Sequence, residues 1–178
     1  MRKAFFTGLL FLIVTLPVSA EQAPDWRLAA GSGDSIRLSQ AVEGQPVVLF
    51  FWATWCPYCK ALMPHLQSMR LEYGEDIEIF AIQINDKHDA VAFIDDAGYD
   101  FTVFPQGDRI AELYGITGTP GVIVIDRELE MRFDLRALPR YEMPETEEKP
   151  GHSKKAAYKA PYWAAELRAA LDAVLEED

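Results

Sequence analysis

The stretch that most constrains this chain is an unbroken apolar run, Val47-Val48-Leu49-Phe50-Phe51-Trp52, which leads directly into Ala53-Thr54-Trp55-Cys56-Pro57-Tyr58-Cys59-Lys60. An uninterrupted series of β-branched and aromatic residues suits a strand buried on both faces. After the cysteines the period changes. Cys59, Leu62, Met63, Leu66, Met69 and Tyr73 share one face of a 3.6-residue repeat, and Gly74 follows as a stop. The sequence therefore predicts a buried strand that feeds a helix carrying two cysteines in its first turn.

Two further apolar runs, Ile77 to Ile84 and Val122 to Ile125, read as buried strands. Leu129 to Leu135 alternates apolar and polar residues, as an edge strand with one wet face should. Helices fit Asp89 to Ala97, Asp108 to Tyr114, and a C-terminal stripe of Trp163, Leu167, Leu171, Val174 and Leu175. This alternation of strands and helices predicts an α/β fold. Glu176, Glu177 and Asp178 put negative charge at the negative end of the last helix, so its final turn is expected to fray. Residues 136–161 carry Pro139, Pro144, Pro150 and Pro161 among charged residues, and read as a long surface loop, either solvated or used to dock a partner.

The spacing gives the cysteines a chemistry. Cys56 falls at the N-cap of the helix, where unpaired N–H groups and the positive end of the macrodipole meet its sulfur. Such positions and Cys-x-x-Cys spacing lower a thiol pKa from about 8.5 to roughly 3.5–7.5, so Cys56 is the expected nucleophile. Pro57 at the first helical position has the φ a helix requires and no N–H to leave unpaired. Cys59 lies one turn further in, on the apolar face, and is expected to be the less exposed, resolving thiol. Pro64 removes a helix-interior hydrogen bond to the Lys60 carbonyl and favours a kink. Lys60 either adds positive charge near the dithiol or is an ordinary solvated lysine.

The ends of the chain bear on where this chemistry takes place. Met1-Arg2-Lys3 precedes an uncharged run from Ala4 to Leu16 and a Pro17-Val18-Ser19-Ala20 segment with small residues at the cleavage positions, so residues 1–20 read as a signal peptide. An uncleaved N-terminal anchor is the alternative. Residues 21–178 then form a single domain with 15 basic and 28 acidic residues, a net charge of −13 that argues against nucleic acid as a partner. Two cysteines only three apart in an exported chain close no long loop, so reactivity explains them better than a structural staple.

Thr117-Gly118-Thr119-Pro120-Gly121 precedes the strand from Val122, and a proline at a strand entry marks an edge, a bulge or a cis bond. The run Phe51 to Lys60, with Met63-Pro64 after it and Tyr114-Gly115-Ile116 leading to Thr119-Pro120, resembles the thioredoxin-like superfamily, most closely its exported TlpA/ResA-like branch. The resemblance spans about Trp26 to Leu135. It implies a thioredoxin fold with a central mixed sheet flanked by helices on both faces, and a cis-proline loop facing the dithiol. It further implies that Trp55, Pro57, Tyr58, Thr119 and Pro120 bind substrate, with the Thr119 backbone pairing an extended segment of it. Read from the residues alone, Trp55 is equally a core aromatic.

That resemblance also implies an exported, most naturally periplasmic, protein-disulfide oxidoreductase. It would reduce disulfides of exported proteins, in settings such as cytochrome c maturation, with electrons from a membrane thiol relay and no cofactor beyond the Cys56–Cys59 pair. The same dithiol run in the opposite direction would be a disulfide-forming oxidase or isomerase. Other classes are a metallochaperone holding copper or zinc through Cys56, Cys59 and a histidine, and a redox-inert binding module. Tetrahedral zinc needs two more ligands, and His65, His88 and His152 show no ligand spacing. Two departures from the pattern that the resemblance implies stand out: thioredoxins carry a buried aspartate where this chain has Phe50, and the TlpA/ResA-like branch usually a glutamate where it has Leu62, leaving Glu43, Asp86 or water as sources of a base for Cys59.

Overall fold

A computed structural model describes residues 21–141 and 149–177. The expected signal segment, residues 1–20, lies outside them, as does part of the Pro-rich stretch, residues 142–148. The strand Val47–Trp52 forms as read (β4), after the short β1 (Glu21–Gln22), β2 (Arg27–Ala29), β3 (Ser35–Arg37) and α1 (Leu38–Ala41). Then come α2 (Pro57–Tyr73), β5 (Glu78–Gln83), α3 (Ala90–Asp96), β6 (Thr102–Phe104), α4 (Asp108–Leu113), β7 (Gly121–Ile125), β8 (Glu130–Asp134) and α5 (His152–Glu177). Six strands join in the order β1-β8-β7-β4-β5-β6, and β2 and β3 form a separate hairpin. β5 runs parallel to both β4 and β6, whereas β7 is antiparallel to β4 and to β8, so the sheet is mixed.

The two-residue period of β4 divides the core. Val48, Phe50 and Trp52 enter a buried cluster with α2, α3 and α5 residues, and Val47, Leu49 and Phe51 enter a second with Trp26, Leu38, Ile110 and Tyr114. Every residue of β4 is buried, as a strand covered on both faces requires. α2 buries the expected face, Cys59, Leu62, Met63, Leu66 and Met69, and ends at Gly74, whose φ of 57° is the left-handed geometry glycine tolerates best. The helix assignment continues through Pro64. Pro64 and Lys60 are exposed, so the carbonyl deprived of its partner lies on the wet side.

The structure departs from the expectations in several places. The loop expected over residues 136–161 ends earlier: α5 begins at His152 and includes Pro161. Pro161 and Ala157, the residue whose carbonyl it leaves free, are both exposed, while Ala156, Ala160 and Ala164 make a small-residue stripe on the buried side. β8 is not the outermost strand, because Glu21 and Gln22 pair with Met131 and Glu130, and its five residues are all half-buried instead of alternating. The helix α5 runs to Glu177, where Arg132 of β8 pairs with both Glu177 and the buried Asp126; Asp178 lies outside the described residues. That cation offsets the acidic helix end. Finally, the sequence pattern did not register β1, β2, β3, α1 or β6, each of two to four residues.

Candidate active site

Cys56 is the N-cap of α2, with extended backbone (φ −83°, ψ 109°) and Pro57 as the first helical residue. The backbone N–H of Cys59 donates to Cys56 Sγ at 3.1 Å, the interaction expected of an N-cap acceptor one turn ahead. Cys56 and Cys59 are joined in a disulfide. The expected contrast in exposure is small in this oxidised form, 2% for Cys56 against 0% for Cys59.

The approach to the dithiol is fixed by an aspartate. Asp86, just after β5, accepts hydrogen bonds on Oδ2 from Thr54 N (2.6 Å) and Thr54 Oγ1 (2.7 Å). Its Oδ1 accepts from His88 N at 3.1 Å and meets His88 Nδ1 at 2.6 Å. Burial alone would raise its pKa, but the bonds from Thr54 and His88 outweigh it and hold the carboxyl well below the usual carboxylate range. Both oxygens are committed, which makes Asp86 an anchor for the turn before Cys56 and a poor base. Glu43 is no better placed. It is exposed ahead of β4, whereas the cysteines follow the far end of that strand, about 20 Å away at 3.3 Å per residue.

A folded-state pKa depressed in this way stabilises the fold above the ordinary carboxylate range, and that contribution is lost as pH falls through the folded value. Asp86→Asn should therefore cost about 1–3 kcal/mol at neutral pH. Thermal unfolding from pH 7 down to pH 2 should show the gap between the two proteins narrowing below about pH 4. A gap constant across that range would remove the anchoring role.

The expected binding residues are placed as follows. Trp55 is 57% exposed and donates from Nε1 to the Asn85 carbonyl at 3.1 Å, so it lies at the surface and is not a core aromatic. Pairing of Phe51 with Gly121 sets Pro120 level with Trp52, at the end of the sheet where the cysteines lie. The Thr119–Pro120 peptide is cis. Gly121 permits the close seating of this loop, because a Cβ there would lie 3.1 Å from Ile116 Cδ1 and 3.3 Å from Phe51 Cβ. Thr119 Oγ1 is buried without a hydrogen-bond partner among the described residues. Tyr58 is half-buried beneath the start of α5, a contact that the sequence did not reveal: its hydroxyl is 3.3 Å from His152 Nδ1, and its ring lies 6.1 Å from that of Trp163.

Phe50 and Leu62 share the buried cluster of Cys59. The buried polar residues among those described are Gln83 and Asp126. Gln83 donates to the His88 carbonyl at 2.8 Å, and Asp126 caps the turn between β7 and β8 at the opposite end of β4. Neither is a base for Cys59. Among the described residues, no three of His, Cys, Asp or Glu come together as a metal-binding group. No helix among them is long and apolar enough to cross a membrane.

A mixed sheet whose central strand delivers a Cys-Pro-Tyr-Cys disulfide to a helix N-terminus, with a cis-proline loop at the same end, defines a thioredoxin-like thiol–disulfide oxidoreductase. The comparisons agree: residues 20–133 match the AhpC/TSA family, and the chain belongs to that family. It is 36% identical over 129 residues to the thiol-disulfide oxidoreductase ResA of Halalkalibacterium halodurans, covering 71% of this chain and 73% of that one. Its identity to ResA of Oceanobacillus iheyensis is 38% over 110 residues, which spans 56% of this chain and 55% of the relative. Among solved structures, a protein assigned as the thiol:disulfide interchange protein DsbE of Chlorobium tepidum superposes with a TM-score of 0.58 at 30% identity, covering 65% of this chain and 82% of the other. A thioredoxin family protein of Chlorobium tepidum shares the fold over 90% of this chain and 99% of its own, at a TM-score of 0.66 and 17% identity.

Proposed function

We propose that the protein is an exported dithiol reductant of partner proteins, with Cys56 as nucleophile and Cys59 as resolving thiol. The observation that carries this reading is Cys56 Sγ at the N-cap of α2, accepting the Cys59 N–H at 3.1 Å, because the same donor stabilises a thiolate once the disulfide is opened. The Cys56 thiolate attacks a partner disulfide, forming a mixed disulfide and releasing the partner's second sulfur as a thiolate. Cys59 then gives up its proton and attacks Cys56 Sγ, so the partner leaves fully reduced and the Cys56–Cys59 bond returns. Both electrons pass to the partner, and an external dithiol donor, of the kind a membrane thiol relay supplies, restores the pair. Export rests on the N-terminal segment, and thiol–disulfide exchange on the likeness to proteins named thiol-disulfide oxidoreductase ResA; the reducing direction is part of the proposal.

Trp55 and the Thr119–Pro120 loop bound the entry to the dithiol, with the loop's backbone available to an extended substrate segment. With Phe50 and Leu62 beside Cys59 and both oxygens of Asp86 occupied, neither carboxylate considered for the role is placed to take the proton of Cys59, which leaves water to accept it. The isolated mature protein should catalyse dithiothreitol-driven reduction of insulin disulfides; a rate no higher than that of dithiothreitol alone would sink the reading. Release of partner from a preformed mixed disulfide should rise with pH through the thiol range, without an inflection in the carboxylate range. Such an inflection, retained in Asp86→Asn, would point to an internal acid elsewhere.

A further inference from the structure

The first turns of α5 bring a basic and aromatic surface to the edge of the dithiol. Tyr58, one of the two residues between the cysteines, meets His152 with ring centroids 5.9 Å apart, and Lys159 Nζ lies 5.8 Å from the Tyr58 ring and 5.6 Å from that of Trp163. Among the described residues of this stretch, 149–165, Lys149, Lys154, Lys155, Lys159 and His152 stand without an acidic residue, while Glu142, Glu145, Glu147 and Glu148 precede them outside the described residues. Elsewhere several basic groups are neutralised locally, as in Arg37 with Asp25, Arg132 with Asp126, Arg136 with Asp134 and Arg168 with Glu72. Lys155 and Lys159 have no ion pair among the described residues. On helical spacing they lie one turn apart on one flank.

We propose that His152 to Lys159 form a docking shoulder that selects partner proteins carrying acidic residues beside the reactive disulfide. This deepens the dithiol reading and rests on it. An excess of positive charge on an otherwise acidic surface attracts a negative segment and repels a positive one, which changes the rate of productive encounter more than the chemistry. The aromatic rings of Tyr58 and Trp163 supply apolar contact next to that charge, and they hold Lys159 over the dithiol edge.

The test uses two disulfide-bonded peptides that differ only in flanking residues, Asp and Glu in one and Lys and Arg in the other. Reduced mature protein should reduce the acidic peptide about tenfold faster at low ionic strength, and the ratio should collapse toward one in high salt. Lys155→Glu/Lys159→Glu should invert the preference. Lys155→Glu, which touches neither ring, should reduce it and keeps the test valid if the double variant fails to fold. A ratio near one in the unaltered protein, or one insensitive to salt or to Lys155→Glu, would overturn the shoulder. Fluorescence anisotropy with the S-alkylated acidic peptide reads docking without exchange, and absence of salt-sensitive binding likewise overturns it. Reaction with the neutral bis(2-hydroxyethyl) disulfide reports the dithiol reading separately: no reaction there defeats that reading, while reaction with no peptide preference defeats only the shoulder.

Discussion

Serine in place of Cys56 is expected to reduce catalysed insulin reduction to the dithiothreitol background, whereas serine in place of Cys59 should leave the first attack intact and accumulate mixed disulfides. The asymmetry follows from position. Cys56 is the N-cap residue and receives the N–H of Cys59 at 3.1 Å, so its sulfur is the one the helix end stabilises as an anion. Cys59 lies one turn further in, fully buried on the core face of α2, and is the donor of that hydrogen bond rather than its acceptor. A serine hydroxyl at 56 is scarcely ionised at neutral pH and cannot replace the thiolate. A serine at 59 removes only the second attack, stranding the partner on Cys56. Non-reducing electrophoresis of exported proteins, with mass spectrometry of the trapped species, reads the difference. Equal trapping by the two variants would reverse or dissolve the assigned roles.

Phe50→Asp, which would install the buried acid that the resemblance to thioredoxins implies at this position, is expected to unfold the protein rather than supply a base. Phe50 is fully buried in the cluster that contains Cys59, Leu62 and Val122. Losing an aromatic ring from such a site costs about 3–5 kcal/mol, and an unpaired buried carboxylate adds several more or is forced to stay protonated. Against a typical total stability of about 5–15 kcal/mol, little folded protein should remain. Denaturant titration of Phe50→Asp beside Phe50→Leu separates the two costs, because leucine keeps the site apolar. A folded Phe50→Asp protein with faster partner release would show that the core accepts the acid and that its absence limits resolution.

The parts of the fold that were legible are those whose burial pattern is complete within one element. β4 shows six apolar residues in a row because both of its faces are covered, and α2 shows its core stripe because its opposite face is wet. β6 and the strands before α1 are too short for any period to register. The start of α5 was obscured by Pro161 and the neighbouring lysines. It becomes a helix because the proline falls on the exposed side while Ala156, Ala160 and Ala164 pack inward.

At the site, the dithiol and the cis-proline loop are local motifs and were readable as such. The duty of Asp86 was not. As a lone aspartate after a strand it could be a base, and only its bonds to Thr54 and His88 reveal an anchor. The contact of Tyr58 with His152, Lys159 and Trp163 joins residues about a hundred positions apart, for which no sequence period exists.

As a working dithiol, Cys56 and Cys59 should exchange two electrons with partner thiols as one couple. The most direct test is equilibration of the mature protein in dithiothreitol or glutathione buffers of graded poise, with the free thiols counted by alkylation and mass spectrometry. One two-electron transition is expected, both cysteines changing together, at a potential between about −270 and −120 mV, the span of dithiol proteins of this kind. Thiols that stay free under the most oxidising buffer, or that alkylate independently of each other, would contradict it.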